Sequence, residues 1–131
     1  MAQATATIGN EAYRTEIIAG NNSIVADEPV DLGGKDSGFT PFELLASALA
    51  SCTAITLRMY AEGKKWETGI ITVTVSVEKD ENNTTVFKRK ISTAHQVDEA
   101  ITSRILTVAN ACPTHKLLSA KIEITSAIEN S

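Results

Sequence analysis

The alternation of apolar and polar residues predicts two β-hairpins in this chain. In the first, an alternating run over residues 13–18 leads to a Gly-Asn-Asn turn, and residues 23–26 return. In the second, apolar and polar residues alternate over 71–78, an Asp-Glu-Asn-Asn turn follows, and residues 85–93 return. The last strand carries Phe87 and Ile91 on one face and Lys88 and Lys90 on the other.

A helical period replaces this alternation over about residues 41–62. Thr40 is a candidate N-cap, Pro41 occupies the favoured first position, and Glu43 places a negative charge in the first turn. Apolar or small residues cover nearly every side of this helix, which predicts that it is central and buried all round. Its main apolar stripe consists of Leu45, Ala48, Cys52, Ile55 and Met59.

A second helix is predicted over about residues 98–111, followed by a short helical turn at 114–119. Cys112 lies on the apolar stripe of this helix, and Pro113 stops it. A final strand is expected around residues 122–124. The order ββ-α-ββ-α-β predicts an α+β fold, with mostly antiparallel sheets around a long buried central helix.

The chain has the length of one domain, and no feature divides it. Its 131 residues match an ordinary domain size of roughly 100–150 residues, and it shows no internal repeat or long linker. Residues 1–131 are therefore expected to form a single domain. A helix that is apolar on every side needs more cover than the other elements of so short a chain supply. The sequence therefore predicts a homodimer in which two such helices pack together.

Composition and charge indicate a soluble protein without a nucleic-acid site or a membrane segment. Hydrophobic residues make up 43% and charged residues 21%, and 12 basic against 16 acidic side chains give a net charge of −4. Nucleic-acid sites are normally basic. The first residues lack a secretory signal, and the apolar run Leu44 to Leu57 is shorter than the about 20 residues that span a bilayer. We expect a cytoplasmic location.

The chain contains two cysteines, Cys52 and Cys112, and each lies on the apolar stripe of a predicted long helix. Two thiols are too few for a disulfide-stabilised miniprotein or a four-thiolate zinc site, but they suffice for a reversible pair. Two helices packed stripe to stripe would bring the sulfurs together. The competing interpretation is that both thiols only fill space, as buried free cysteines often do.

A buried cysteine needs a nearby cation to become nucleophilic, because apolar surroundings raise a thiol pKa and the thiolate is the reactive form. Arg14, on the hairpin face opposite Tyr13, is the candidate cation. Glu43 is the candidate anion that would aim the guanidinium. The alternatives are an exposed strand residue for Arg14 and a simple first-turn charge for Glu43.

The other polar groups do not favour a metal or a polyanion site. His115 could complete a zinc site with Cys52 and Glu43, but the spacings match no standard zinc finger. A partly exposed turn residue is the preferred interpretation of His115. The cluster Lys88-Arg89-Lys90 is short and offset by acids, so it is interpreted as a solvated face.

Three motifs follow one another along the chain: Leu32-Gly33-Gly34, then Thr40-Pro41-Phe42-Glu43-Leu44-Leu45-Ala46 leading to Cys52, and finally Ala111-Cys112-Pro113. Together they resemble the OsmC/Ohr family of osmotically inducible and organic hydroperoxide resistance proteins, and the similarity extends over the whole chain. The resemblance implies an OsmC-like α+β fold and an obligate intertwined homodimer. It also implies thiol-dependent peroxidase activity toward organic hydroperoxides or hydrogen peroxide.

The resemblance further implies a role for each candidate residue. Cys52 matches the peroxidatic cysteine and Cys112 the resolving cysteine, so a Cys52 sulfenic acid would condense with Cys112 to a disulfide. An external dithiol reductant, of protein or lipoyl type, would reset the pair, and no bound cofactor or metal is implied. Arg14 matches the activating arginine by its hairpin position upstream of the Gly-Gly loop.

Glu43 departs from the family pattern, in which the glutamate directly follows the proline. This chain has Phe42 there, and a shift of one residue is about 100° around a helix, so Glu43 faces another direction. Phe42 and Phe39 are expected to line an apolar entrance for a substrate tail. The offset motivates an alternative, a stress protein that binds a small apolar or electrophilic ligand between protomers without peroxidase turnover. A third interpretation is a structural stress protein with inert cysteines.

Overall fold

The structure is a computed structural model and describes residues 2–130. The elements are β1 (Thr5–Ile8), β2 (Thr15–Ala19), β3 (Asn22–Ala26), α1 (Pro41–Lys64), β4 (Ile71–Lys79), β5 (Thr85–Thr93), α2 (Glu99–Asn110) and α3 (Pro113–Leu118). The chain forms two compact units. The first holds the residues up to Ser47 together with Ser76–Phe87, and the second holds Ala48–Val75 and the residues from Lys88 onward. The predicted α+β class is confirmed.

The first unit contains an antiparallel sheet in the order β1-β2-β3. Its central strand begins at Thr15, which pairs with Ala26. The predicted start of this strand at residue 13 is wrong, because Tyr13 has a φ of 66° and a strand requires negative φ. Strand β1 was not predicted, since its exposed Thr-Ala-Thr-Ile sequence has little contrast between apolar and polar positions.

The loop between β3 and α1 folds around the buried carboxylate of Asp27. Four donors reach this carboxylate: the backbone N–H groups of Glu28, Lys35 and Ser37, and the Ser37 hydroxyl at 2.5 Å. Two glycines permit the close backbone approach. A Cβ at Gly34 would lie 2.0 Å from the carbonyl oxygen of Glu28, and a Cβ at Gly38 would lie 2.0 Å from that of Val25.

Helix α1 begins with reciprocal hydrogen bonds between Thr40 and Glu43. The backbone N–H of Glu43 donates to Thr40 Oγ1 at 3.2 Å, and the backbone N–H of Thr40 donates to Glu43 Oε1 at 2.8 Å. This capping box satisfies two backbone donors that the helix itself leaves unpaired. Thr40 therefore caps the helix as predicted, and the Glu43 carboxylate has a structural partner.

Only one face of α1 is buried in this chain. The buried residues recur every fourth position: Leu49, Thr53, Leu57 and Ala61. The prediction of a helix buried all round is therefore wrong for the single chain, in which Ile55 and Met59 are 56% and 66% exposed. The apolar pattern of α1 does not specify which face of the helix is covered by other residues of the same chain. By length and composition α1 could cross a membrane, a test that core helices of soluble proteins also pass.

The second unit has its core between α1 and α2. Leu57, Ile105 and Val108 are buried there together. Partly buried residues pack around them: Trp66, Ile71, Ile91, Val97 and Ile101. The carboxylate of Asp98 caps α2 by accepting the N–H of Ile101 at 2.9 Å. Both predicted long helices are thus present, and the helical turn predicted at 114–119 corresponds to the short helix α3.

The predicted final strand does not form within residues 120–130. This segment has no regular structure, and Ile122 and Ile124 are 56% and 88% exposed. A strand exists only where a neighbouring strand completes its hydrogen-bond ladder. No strand in the described part of the chain pairs with this segment.

Candidate active site around Cys52 and Cys112

The structure brings the two cysteines of the second unit together. Cys52 is half-buried on α1, whereas Cys112 is completely buried between α2 and α3. Both thiols are free, and the Cys112 thiol is a hydrogen-bond partner of the Cys52 sulfur. Their proximity follows from the packing of α2 against α1 in the core of this unit. The prediction that two packed helices bring the sulfurs together agrees with this geometry.

The surroundings of Cys52 favour its thiolate. Burial raises the pKa of the Cys52 thiol, but hydrogen bonds from the side chain and backbone of Thr114 lower it. Cys112 and Thr56 add further hydrogen bonds, and the net pKa lies below the ordinary value of a cysteine. Because the thiolate is the reactive form of a cysteine, the lowered pKa and partial exposure of Cys52 make it the candidate nucleophile.

Cys112 is held by groups from two helices. It is the N-cap of α3, where its Sγ accepts the backbone N–H of His115 at 3.3 Å. The hydroxyl of Thr53, one residue after Cys52 on α1, lies 3.9 Å from the same sulfur. The Cys112 sulfur therefore has hydrogen-bond partners on two helices although the residue has no exposed surface.

Arg89 on β5 completes this arrangement. Its Nη1 donates to Thr53 Oγ1 at 3.1 Å, and its Nη2 reaches Asn110 Oδ1 at 3.0 Å and His115 Nδ1 at 3.2 Å. We refer to Cys52, Thr53, Arg89, Cys112, Thr114 and His115 as the sulfur cluster. The interpretation of Arg89 as part of a solvated face is wrong, because its side chain is half-buried and hydrogen-bonded inside the second unit.

A signal for Arg89 was present in the strand alternation. The residues of β5 that are partly buried include Phe87, Arg89 and Ile91, at every second position, whereas Lys88 and Lys90 are exposed. Arg89 thus lies on the apolar face of its strand. The sequence Lys88-Arg89-Lys90 therefore does not form one exposed basic cluster, because its middle residue lies on the opposite face of the strand.

Arg14 and Glu43 both belong to the first unit. Arg14 is exposed just before β2, and Glu43 is exposed at the start of α1 in its capping box with Thr40. Their predicted roles toward Cys52 stay predictions.

The two phenylalanines of the predicted entrance, Phe39 and Phe42, have different surroundings in the structure. Phe42 lines a pocket of about 300 Å³ in the first unit, together with Pro29, Leu32 and Pro41. Phe39 does not line this pocket. Its backbone instead pairs with the end of β3, where its N–H donates to Val25 and its carbonyl accepts from Asp27. A cavity thus adjoins Phe42, and the apolar entrance for a substrate tail stays a prediction.

No group of three or more His, Cys, Asp and Glu side chains within residues 2–130 could hold a metal ion. His115, the candidate zinc ligand, is half-buried on α3, and its Nδ1 faces the guanidinium of Arg89.

Comparison with known families agrees with the fold. A sequence model of the OsmC-like proteins matches residues 34–127, which is well over half of the chain. The chain belongs to the OsmC-like family. This family model covers both cysteines and the capping box of α1. A comparison with curated proteins finds no match.

Solved structures of OsmC-like proteins share this fold. A Psychrobacter arcticus protein of the osmotic stress and detoxification response is 26% identical, with a TM-score of 0.76 over 89% of this chain and 88% of that one. The OsmC-like protein of Mycoplasma pneumoniae is 22% identical, with a TM-score of 0.70 over 91% and 87%. The organic hydroperoxide resistance protein OhrB of Bacillus subtilis is 23% identical, with a TM-score of 0.60 over 89% of each chain.

Proposed function

We propose that this OsmC-like protein is a thiol-dependent peroxidase that reduces organic hydroperoxides or hydrogen peroxide. The observation that carries the proposal is the contact between the half-buried Cys52, whose thiolate is hydrogen-bonded, and the buried thiol of Cys112. Membership of a family that includes organic hydroperoxide resistance proteins supports the same chemistry. Arg14 and Glu43 are proposed to assist Cys52, as the resemblance implies.

The reaction divides into three balanced steps. The Cys52 thiolate attacks the peroxide oxygen and the O–O bond breaks. The proton that the Cys52 thiol lost on ionising is returned to the leaving oxygen, so the products are a Cys52 sulfenic acid and an alcohol or water. The Cys112 sulfur then attacks the Cys52 sulfur, and the sulfenic oxygen leaves with the Cys112 thiol proton as water. An external dithiol of protein or lipoyl type reduces the resulting disulfide and is itself oxidised.

A stoichiometric thiol titration tests this proposal. Wild type, Cys52→Ser and Cys112→Ser receive cumene hydroperoxide or hydrogen peroxide, and free thiols are counted before and after. We expect wild type to lose both of its thiols rapidly. Cys52→Ser should keep its thiol, and Cys112→Ser should accumulate a sulfenic acid that dimedone traps. If wild type keeps its thiols and leaves the peroxide unconsumed, the peroxidase proposal is wrong.

We also propose that the protein is a homodimer. Support comes from the exposed apolar side of α1, which includes Leu45, Ile55 and Met59, and from the exposed alternating segment around Ile122 and Ile124. Both features are typical of surfaces that a second copy covers. Sedimentation velocity should give twice the mass of the single chain, and a monomer at micromolar concentration would contradict the proposal. The cytoplasmic location stays a prediction.

A second candidate function is ligand binding without turnover. It is favoured by the capping box, which occupies the Glu43 carboxylate, and by the apolar pocket beside Phe42. Cumyl alcohol, the non-oxidising product of cumene hydroperoxide, should then raise the melting temperature of wild type and Cys52→Ser equally. This candidate holds if that stabilisation occurs while wild type keeps its thiols in peroxide, and it fails if the alcohol has no effect.

A further inference from the structure

Arg89 is a half-buried cation whose three hydrogen-bond partners are all uncharged groups or an imidazole. They are the Thr53 hydroxyl on α1, the Asn110 amide at the end of α2 and the His115 ring on α3. None of these three partners is a carboxylate, so these hydrogen bonds orient the guanidinium without neutralising its charge. All of them belong to the second unit, and two of them, Thr53 and His115, also contact the sulfur of Cys112.

The hydrogen bond from Arg89 determines what the Thr53 hydroxyl can do. A guanidinium only donates, so Thr53 Oγ1 accepts from Arg89 and keeps a single proton of its own to donate. Two acceptors are within reach of that proton: the carbonyl oxygen of Leu49 at 2.7 Å and the Sγ of Cys112 at 3.9 Å. Thr53 can therefore turn its proton from the helix backbone toward Cys112 when that sulfur becomes negative.

Cys112 needs such a donor because it is completely buried. A sulfur that attacks must acquire negative charge, and an unsolvated charge is costly unless hydrogen bonds stabilise it. The groups that face this sulfur are the backbone N–H of His115, the hydroxyl of Thr53 and the Cys52 sulfur itself. Through its hydroxyl, Thr53 links this sulfur to the positive charge of Arg89, and the ring of His115 contacts the same guanidinium.

We propose that Arg89 is a positioning residue for the resolving cysteine. It orients the Thr53 hydroxyl and supplies positive charge behind it, so that Cys112 attacks the sulfur of Cys52 while its thiol proton departs. The inference rests on the proposed function only in naming Cys112 as the resolving cysteine. It concerns the second sulfur reaction, whichever oxidant has acted on Cys52.

A disulfide reagent tests this step without peroxide. With excess 5,5′-dithiobis(2-nitrobenzoate), the Cys52 thiolate forms a mixed disulfide and releases one thionitrobenzoate. Cys112 then attacks the Cys52 sulfur, which forms the Cys52–Cys112 disulfide and releases a second thionitrobenzoate and a proton. Stopped-flow absorbance separates the two phases, and Cys112→Ser identifies the first phase because it lacks the second.

Arg89→Met should slow the second phase roughly 10- to 100-fold, as expected for loss of a hydrogen-bonded charge that stabilises an ionised group. The first phase should stay within about twofold of wild type. Arg89→Lys, which keeps the charge, should recover part of the second-phase rate. Lys90→Met is the matched control, since Lys90 is the exposed neighbour on the same strand and should leave both phases unchanged.

A second variant tests whether Arg89 acts on Cys112 through the Thr53 hydroxyl. It also keeps the proposal testable if Arg89→Met does not fold. Thr53→Val removes the hydroxyl at nearly constant volume and should slow the second phase as Arg89→Met does. The double variant should be no slower than Thr53→Val alone, because both changes interrupt one path. Additive effects, or a second phase of Arg89→Met equal to that of wild type, would overturn the proposal.

The two proposals fail in distinguishable ways. If peroxide oxidises no thiol in wild type but Arg89→Met still slows the second phase, the peroxidase is wrong and the role of Arg89 stands. If wild type forms its disulfide with peroxide and the second phase is insensitive to Arg89 and Thr53, the role of Arg89 is wrong and the peroxidase stands.

Discussion

Asp27 and Arg89 are both charged side chains with several hydrogen bonds, but they draw on different parts of the chain. The partners of Asp27 lie within ten positions of it, in the loop that follows β3. The partners of Arg89 lie 21 to 36 positions away and belong to three helices. The Asp27 network therefore forms when one loop folds, whereas the Arg89 network exists only when β5 and the helices of its unit pack together.

The difference separates a structural network from a candidate functional one. The Asp27 carboxylate accepts four hydrogen bonds from its own loop. Arg89 is oriented by uncharged groups, and one of them adjoins a buried thiol. Charge that is directed but not neutralised is the property expected next to a reaction that creates negative charge.

The largest expected effect on stability comes from the close approach between Gly34 and the backbone of Glu28 in the Asp27 loop. Gly34→Ala places a Cβ 2.0 Å from the Glu28 carbonyl oxygen and should destabilise the protein by about 3 kcal/mol. Gly63→Ala is the control, because its Cβ meets nothing within 4 Å and should stabilise α1 by about 0.5–1 kcal/mol. Urea unfolding measures both. Equal stability of Gly34→Ala and wild type would show that the loop does not need this approach.

The second effect is acid sensitivity from Asp27. The Ser37 hydroxyl lowers its pKa most, burial opposes this, and the N–H groups of Ser37, Glu28 and Lys35 lower it further, to about 2. Since the unfolded value is near 3.9, the folded state binds fewer protons, so this stabilisation is present above about pH 4 and is lost toward pH 2.

Unfolding measured from pH 6 to pH 2 should show a smaller loss of stability in Asp27→Asn than in wild type. Asp36→Asn, an exposed position of the same loop, should follow the wild-type curve. An Asp27→Asn curve parallel to that of wild type would contradict the assignment.

The third effect concerns the capping box at the start of α1. Glu43→Ala removes the acceptor for the Thr40 N–H and should cost about 1 kcal/mol in the free energy of unfolding. Glu43→Gln keeps a side-chain oxygen and should cost less. Glu62→Ala, at the other end of the helix, should cost nothing. A loss of peroxidase rate in Glu43→Gln at full stability would show that the carboxylate charge acts beyond the cap.

The smallest effect is a shift in the reactivity of Cys52. Thr114→Val removes one hydrogen bond that lowers the pKa of the Cys52 thiol, so the pH midpoint of alkylation by iodoacetamide should move upward. Thr107→Val, an exposed threonine of α2, is the matched control and should leave the midpoint unchanged. The buried Cys112 should react little in either variant. An unmoved midpoint in Thr114→Val would remove Thr114 from the sulfur cluster.

The sequence predicted features that depend on neighbours a few residues apart. Thr40 could be inferred as the cap of α1 because a helix start needs side-chain acceptors for its unpaired N–H groups, whereas the reciprocal bond to the Glu43 carboxylate was not predicted. The β4–β5 hairpin followed from strict alternation and a polar turn. The final strand failed for the converse reason, since its ladder needs a partner that no local pattern specifies.

The candidate site was predictable in its nucleophiles but not in their surroundings. The count of cysteines, their helix stripes and the motif around them identified Cys52 and Cys112. Arg89 and Thr114 could not be assigned to the site, because both are distant from Cys52 along the chain. Packing alone brings Arg89 to Thr53, the neighbour of Cys52, and Thr114 to Cys52 itself. Arg14 and Glu43 stay predictions because they lie in the other unit.

By itself the sequence determined the helices, the main hairpins, the cap of α1 and the identity of the two thiols, because each depends on short-range periodicity or on residue chemistry. Tertiary structure alone decided which face of α1 is buried, that Cys112 contacts Cys52, and that Arg89 lies behind Thr53. These outcomes depend on contacts between segments tens of residues apart. Such contacts form when whole apolar faces pack, and no local pattern specifies which faces will meet.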